Sequence, residues 1–136
     1  MKIDRIFLDA NVLFSAAYAS PGLSRLWDLA HQGKCIILAS GYVVEEARRN
    51  LADPEQIKRM DTLLARVQIV AEVDPQIPCP IDLPEKDRPV LLAAISARAD
   101  FLLTGDVSHF GKFLGKSAGG VKICRPRDYL NLGPAK

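Results

Sequence analysis

The chain holds little of what staples or threads a protein. Its 136 residues include three cysteines (Cys35, Cys79 and Cys124) and two histidines. The cysteines are widely spaced, odd in number and form no C-x-x-C pair, which argues against a disulfide framework or a zinc site. Two of them lie in apolar runs and read as small core residues, so a reducing cytoplasm is the simplest compartment. The longest apolar runs are about five residues, such as Cys35 to Ala39, where a membrane span needs about 20. Net charge is only +2, too small to imply a nucleic-acid binder by itself. Lys2 and the Ala17-Tyr18-Ala19 triplet have a flavour of a secretion signal, but Asp4, Arg5, Asp9 and Asn11 interrupt the apolar centre that a signal requires.

What is present is an ordinary globular balance, 49% hydrophobic and 25% charged. That excludes disorder, collagen and coiled coil. The length suits one domain, and residues 1–136 are read as a single unit with no internal repeat. Charge is unevenly spread. Glu72 to Asp87 carries five acids against Lys86, and Val107 to Arg127 carries Lys112, Lys116, Lys122, Arg125 and Arg127 with no acid. An acidic focus beside a basic flank can hold cations and polyanions side by side.

Ile3 to Leu8 reads as a buried strand that stops at Asp9, and Asn11 to Ala19 as a helix. Leu23, Leu26, Trp27 and Ala30 recur at helical spacing, and Gly33 suits a left-handed stop. Lys34 to Ala39 is a second strand. Ser40 suits the cap of a helix with the stripe Val43, Val44, Ala47 and Leu51. Asp53, Pro54 and Gln56 predict another start: cap, first helical position and reciprocal capping residue. Val67 to Val73 is a third strand, and the proline-rich stretch Asp74 to Pro84 a crossing loop. A helix from Arg88 to Ala99 leads into a fourth strand, Phe101 to Thr104. Residues 105–120 hold five of the nine glycines and predict a loop around one short helix. Val121 to Cys124 is a last strand, followed by a helical turn from Pro126 through Tyr129, Leu130 and Leu132. Strands that are solid apolar runs are covered on both faces, which predicts a three-layer α/β/α sandwich with a mostly parallel sheet.

In such sheets ligands sit beyond the carboxyl ends of the strands, where strand order reverses. Asp9 closes strand one, with Asn11 two residues on. Thr104-Gly105-Asp106 closes strand four. Asp87 opens the helix that feeds strand four, and Glu45 and Glu46 lie on the helix after strand two. Each has a bland use: Asp87 suits an N-cap, Asp106 a turn, Glu45 and Glu46 a solvated face. Asp9 is different, because a carboxylate between a buried strand and an apolar helix carries a desolvation cost with no nearby base. Converging acids repel one another, and a divalent cation relieves that repulsion. Oxygen ligands without His or Cys select Mg²⁺ or Mn²⁺, which suits attack of water on a phosphodiester. In the absence of the cation, Asp9→Asn and Asp106→Asn are both expected to raise the melting temperature.

Leu8-Asp9-Ala10-Asn11-Val12-Leu13, Glu45-Glu46, Lys86-Asp87-Arg88-Pro89-Val90-Leu91 and Leu103-Thr104-Gly105-Asp106 together resemble the PIN-domain ribonucleases, a family that includes the VapC-type toxins of toxin–antitoxin pairs. The resemblance runs from about residue 3 to 132. It implies Asp9, Glu46, Asp87 and Asp106 as the acidic set, with Asp9, Asp87 and Asp106 as the main metal ligands. It places Asn11 and Thr104 as polar supports. It further implies Mg²⁺ or Mn²⁺, an RNA substrate, a frequent homodimer and an antitoxin partner. The apolar stripe leaves Glu45 against Glu46 open. His109, three residues past Asp106, is placed to touch a phosphate or to lie on plain loop surface, and His31 is packed or on the surface.

The expected activity is therefore hydrolysis of RNA by a Mg²⁺- or Mn²⁺-dependent endoribonuclease, as the toxin of such a pair. Two alternatives remain. A haloacid-dehalogenase-type phosphatase also ends strand one in aspartate, but needs a second aspartate where Asn11 stands. A non-catalytic RNA-binding or scaffold module would keep the fold without turnover. Gly111 to Ser117 superficially resembles a phosphate loop, but its first glycine is one residue too close and a glycine pair follows where a helix should begin.

Overall fold

The computed structural model describes residues 3–131 other than Pro21 and Pro75. Leu132, expected in the last helix, lies outside the described residues, as does Pro75 of the crossing loop. The elements run β1 (Asp4–Leu8), α1 (Ala10–Ala17), α2 (Ser24–His31), β2 (Cys35–Ser40), α3 (Gly41–Arg49), α4 (Pro54–Leu64), β3 (Val67–Val70), α5 (Arg88–Ser96), β4 (Phe101–Leu103), α6 (Val107–Phe110), a 3₁₀ turn (Gly111–Phe113), β5 (Ser117–Ala118), β6 (Val121–Cys124) and α7 (Pro126–Asn131). The strands form one sheet in the order β3-β2-β1-β4-β6-β5. Every pairing is parallel except β5 with β6. This is the three-layer, mostly parallel α/β/α architecture that the apolar runs predict.

Chain order runs outward from β1 through β2 to β3, then returns to β4 on the other side of β1. With right-handed crossovers, the outward and return connections pass on opposite faces of the sheet. The order therefore reverses between β1 and β4, and their carboxyl ends lie side by side there. The Asp9 N–H donates to the Leu103 carbonyl at 3.0 Å, which locks the two strand ends together.

The core explains the register. Ile6, Phe7, Leu8, Leu38, Leu102, Leu103 and Ile123 are fully buried in the sheet, and Leu13, Leu26, Val43, Met60 and Leu91 seal it from the helices. Fully burying one such side chain stabilises by about 1.5–3 kcal/mol. Tyr129 ties α7 to the sheet: its ring packs edge-on to Phe101 at 4.9 Å, and its hydroxyl donates to Asp4 Oδ2 at 2.8 Å.

Several boundaries differ from the sequence reading for identifiable reasons. α1 begins at Ala10 because the Asp9 carboxylate accepts the Ala10 N–H. It ends at Ala17, and Ala19 turns left-handed at φ 57° while the Ser20 N–H reaches back to the Ser15 carbonyl. α5 stops at Ser96 in the same way: Arg98 has φ 57°, and the Ala99 N–H bonds the Ala94 carbonyl. Glycine usually holds that position, so neither end is marked in the sequence. The Arg5 guanidinium, donating to the Ala97 carbonyl, satisfies the exposed end of α5. β3 covers only Val67–Val70, at the edge of the sheet, and the consecutive Gln68 and Ile69, which point to opposite faces, are both exposed. Asp53 caps α4 by accepting the Glu55 N–H, but the reciprocal bond from Gln56 is not made; Gln56 Oε1 is buried without a hydrogen bond. The glycine-rich stretch after Asp106 contains the short strand β5 besides its helical turns.

Candidate active site

The carboxyl ends of β1 and β4 carry a small polar bracket. Asp9, 5% exposed, directly follows β1 and is the N-cap of α1. Its Oδ1 accepts the Ala10 N–H at 2.8 Å. Its Oδ2 accepts the Thr104 hydroxyl at 2.8 Å and the Asn11 amide at 3.3 Å. The fully buried Thr104 Oγ also accepts the Asp106 N–H at 3.0 Å, while Asn11 Oδ1 accepts the Gly105 N–H at 2.9 Å. Asn11 and Thr104 thus hold the segment after β4 against the segment after β1. A Cβ at Gly105 would meet Asn11 Oδ1 at 3.4 Å, an ordinary van der Waals contact, so this residue lies directly against the bracket. Asn11 is fully used as an amide here, which removes the second acid that a haloacid-dehalogenase-type phosphatase would place there.

Burial pushes the Asp9 carboxyl above its ordinary range, against the hydrogen bonds from Thr104 and Ala10, and the charges of Asp87 and Glu46 push it further. Asp87 is likewise pushed up, first by burial, then by Asp106 and Glu46, with His109 and Lys86 opposing. The charges of Asp87 and Glu46 thus reach Asp9, and that of Glu46 also reaches Asp87.

Asp87 is the least expected of the acids. It stands at the N-cap of α5, yet its side chain makes no capping hydrogen bond. It is 7% exposed, and its Oδ2 is buried without a hydrogen-bond partner. The bland cap reading therefore fails: this carboxylate is desolvated and not used by its own helix. Its loop is held by Tyr42, whose hydroxyl donates to the neighbouring Lys86 carbonyl at 2.8 Å.

Asp106 does cap its helix. Oδ1 accepts the Ser108 hydroxyl at 2.7 Å and the His109 N–H at 3.1 Å. Burial raises its carboxyl, but the bonds from Ser108 and His109, with the His109 charge, outweigh it and hold it below the ordinary range. The expectation that Asp106→Asn raises the melting temperature is corrected accordingly: its ionised form is favoured in the fold, whereas those of Asp9 and Asp87 are disfavoured, chiefly by burial.

His109 lies inside the pocket, neither on plain loop surface nor turned outward alone. Its Nδ1 stands 2.9 Å from Asp87 Oδ2 and 2.9 Å from Asp106 Oδ2, yet it is buried with no aligned hydrogen bond. Asp87, Asp106 and His109 each offer one ligand atom within 4.8 Å of the others. Among the described residues this is the group close enough to share one small cation. Asp9 stands beside it with its oxygens engaged by Ala10, Asn11 and Thr104.

Glu45 and Glu46 separate cleanly. Glu45 is exposed and pairs with Arg49 at 3.3 Å, while Glu46 is half-buried and raises both Asp9 and Asp87. α3 is anchored by Ser40, which accepts the Val43 N–H, and by Glu72, which accepts the Tyr42 N–H. Among the described residues no lysine or arginine forms an ion pair with Asp9, Glu46, Asp87 or Asp106. His31 is exposed against Arg66, with 2.6 Å from its Nδ1 to the guanidinium.

Tyr42, Ser108 and Glu72 escaped the sequence reading. Tyr42 and Glu72 act through loop and helix-end contacts that no spacing reveals. Ser108 sits two residues past Asp106, where a side-chain hydroxyl commonly closes a turn.

Fold and pocket together define an open parallel α/β domain with a carboxylate site at its switch point. The chain belongs to the PIN-domain family: the family model described as PIN domain matches residues 5–108. No curated protein matches the sequence. The fold is similar to that in the crystal structure of VapBC2 from Rickettsia felis bound to a promoter DNA fragment, with TM-score 0.65, 16% identity, and 89% of this chain and 98% of that chain covered. It is also similar to VapC20 of Mycobacterium tuberculosis, a sarcin-ricin-loop-cleaving toxin (TM-score 0.53, 14% identity, 76% and 92% covered). A third similar structure is FitAB bound to an IR36 DNA fragment (TM-score 0.57, 18% identity, 89% and 94% covered). At these identities the likeness is one of fold. Among the described residues no helix is long and apolar enough to cross a membrane.

Proposed function

We propose that this protein is a metal-dependent endoribonuclease of the VapC type, acting as the toxin of a toxin–antitoxin pair. The observation that carries the reading is Asp87: a desolvated carboxylate, unused by the helix it opens, beside a second carboxylate and an imidazole nitrogen that makes no hydrogen bond. A cation satisfies all three, and oxygen-rich ligands favour Mg²⁺ or Mn²⁺. Asp87 and Asp106 would hold it, with Asp9 completing the acidic wall. When bound, such an ion lowers the pKa of water and stabilises charge on the attacking and leaving oxygens.

The chain's own residues do the rest. Thr104 and Asn11 fix the Asp9 carboxylate and the strand ends, so the acidic wall is set before substrate arrives. Glu46 borders the pocket and can take a proton from the attacking water at its carboxylate. Water oxygen bonds to phosphorus, the 3′-oxygen leaves, and that oxygen takes up a proton. A groove of about 320 Å³ lined by Ser15, Gly105, Arg125, Arg127 and Leu130, among others, opens beside the segment after β4. With exposed Lys112 and Lys116, it offers cationic contacts to RNA phosphates.

Residues 1–136 act as one domain, supported by a continuous core that runs from Ile6 to Leu130. The protein works in the cytoplasm as a homodimer that a cognate antitoxin silences. The VapBC2 and FitAB likenesses support a partner of that kind.

The test is cleavage of single-stranded and structured RNA by the purified protein, with Mg²⁺ or Mn²⁺ and with excess EDTA. Cleavage is expected only with metal, and at least about a hundredfold weaker in Asp87→Asn and Asp9→Asn, as befits loss of transition-state charge stabilisation. Full cleavage in EDTA would overturn the metal role. RNA binding without cleavage under any condition would favour the non-catalytic module.

A further inference from the structure

The three atoms that face one another in the pocket are two oxygens and one nitrogen. The nitrogen arrives there by construction. Asp106 Oδ1 caps the short helix α6, and the fully buried Phe110 pins the turn from below. Residues i and i+3 then share a face, so His109 is delivered back over Asp106. Its Nδ1 meets Asp106 Oδ2 and Asp87 Oδ2 at 2.9 Å each.

Neither contact is an aligned hydrogen bond, and both Nδ1 and Asp87 Oδ2 are buried without one. A protonated ring would form ion pairs with both carboxylates, whereas a neutral ring with its lone pair on Nδ1 would face them, which is repulsive. A ring N–H there points at neither oxygen. Buried polar atoms are almost always satisfied, and leaving one without a partner is costly. A cation placed among the three atoms serves them all at once.

We propose that His109 is itself a metal ligand through Nδ1, so that this site is a mixed nitrogen–oxygen site that selects Mn²⁺ over Mg²⁺. The inference rests on the acidic pocket being a metal site, as in the proposed function, and adds the ligand that sets its preference. Imidazole suits first-row transition ions, whereas Mg²⁺ keeps to oxygen ligands and water. Carboxylates alone would not separate the two ions in this way.

The chain makes the assignment clean, because it has two histidines and His31 is exposed on α2. The experiment is pulsed electron paramagnetic resonance on Mn²⁺-loaded protein, which detects nitrogen bound directly to the ion. It is paired with calorimetric titration of Mn²⁺ and Mg²⁺. The wild type and His31→Gln are expected to show nitrogen coupling, and His109→Gln to lose it. In His109→Gln the preference for Mn²⁺ over Mg²⁺ should fall about tenfold or more, with Mg²⁺ binding little changed, and circular dichroism reports that the variant is folded. Mn²⁺ bound without nitrogen coupling, or with an unchanged preference in His109→Gln, would overturn the histidine ligand and leave the acidic site standing. A wild type that binds neither ion at millimolar concentration would overturn both. If His109→Gln does not fold, the spectrum of wild type against His31→Gln still decides whether a nitrogen other than that of His31 is bound.

Discussion

The Thr104 hydroxyl donates to Asp9 Oδ2 at 2.8 Å across the junction of β4 and β1, 95 residues apart in sequence. The hydroxyl oxygen also accepts the Asp106 N–H, so one buried group sets the spacing of two acids. Thr104→Val keeps the shape and removes both bonds, together with a longer one at 3.4 Å that the hydroxyl accepts from the Asn11 amide. It leaves the buried Asp9 Oδ2 with only the longer Asn11 contact, while Oδ1 keeps the Ala10 N–H, and it leaves the Asp106 N–H unpaired. An unsatisfied buried group costs about 1–3 kcal/mol. Urea denaturation should show Thr104→Val less stable by that amount and Thr104→Ser close to wild type. Equal losses in the two variants would mean that packing of the methyl group, not the hydroxyl, holds the junction.

Asp9 and Asp106 should respond to neutralisation with opposite signs in metal-free protein. The fold raises the Asp9 pKa, chiefly by burial. As pH climbs above the ordinary value of about 3.9, the unfolded chain loses its proton first. Stability then falls with pH through the interval up to the folded pKa and stays reduced above it. Asp9→Asn escapes this loss, so in EDTA its melting temperature should exceed that of wild type at pH 7, with the gap closing toward pH 4. For Asp106 the fold lowers the pKa, as bonds from Ser108 and His109 outweigh its burial. The stability it adds is present above the ordinary pKa and is lost as pH falls through the lowered one. Asp106→Asn should therefore melt below wild type at pH 7. A higher melting temperature for both would restore simple repulsion as the dominant effect.

The cysteines give a test that leaves the acids untouched. Cys35 and Cys124 are each 3% exposed, and burial pushes both thiols up to about 11. The thiolate is the reactive form, so both should be inert at neutral pH. Cys79, in the crossing segment, is half-buried. A chromogenic disulfide reagent should titrate one thiol promptly in native protein and all three in denaturant. Prompt reaction of more than one would mean that the sheet opens around β2 or β6.

Short-range patterning made much of the fold legible in the sequence. Solid apolar runs located β1, β2, β4 and β6, and Ser40 and Asp53 marked their helices. The parallel-sheet rule led to the carboxyl ends of β1 and β4, where Asp9, Thr104 and Asp106 do meet. Less legible were features decided by tertiary contact. The left-handed residues Ala19 and Arg98 carry no glycine signal, and β3, at the sheet edge, is left with an exposed residue on each face. Nothing at short range distinguishes an Asp87 that caps α5 from one that turns away from it. The inward aim of His109 depends on Asp106 capping a helix of four residues; the spacing of acid and histidine was visible, the cap was not.

The choice between Glu45 and Glu46 turns on where the buried face of α3 is centred. At about 100° per residue, a stripe of Val43, Val44, Ala47 and Leu51 leaves Glu45 and Glu46 about 145° and 115° from its middle, too similar to separate. In the fold Val43 and Ala47 are fully buried and Val44 only half so. Centring on Val43 and Ala47 puts Glu46 about 80° away, at the rim, and Glu45 diametrically opposite. Glu45 meets Arg49 one turn on, an exposed pair worth at most about 0.5 kcal/mol. Glu45→Gln should therefore leave RNA cleavage unchanged within about twofold and stability within that small margin. Glu46→Gln should reduce cleavage by about 10²-fold or more, the scale on which a positioned proton acceptor contributes, while the metal-free protein becomes no less stable. Parallel cleavage assays and thermal melts decide it. If Glu45→Gln is the variant that loses activity, substrate binding must rotate α3 or recruit a different face of it.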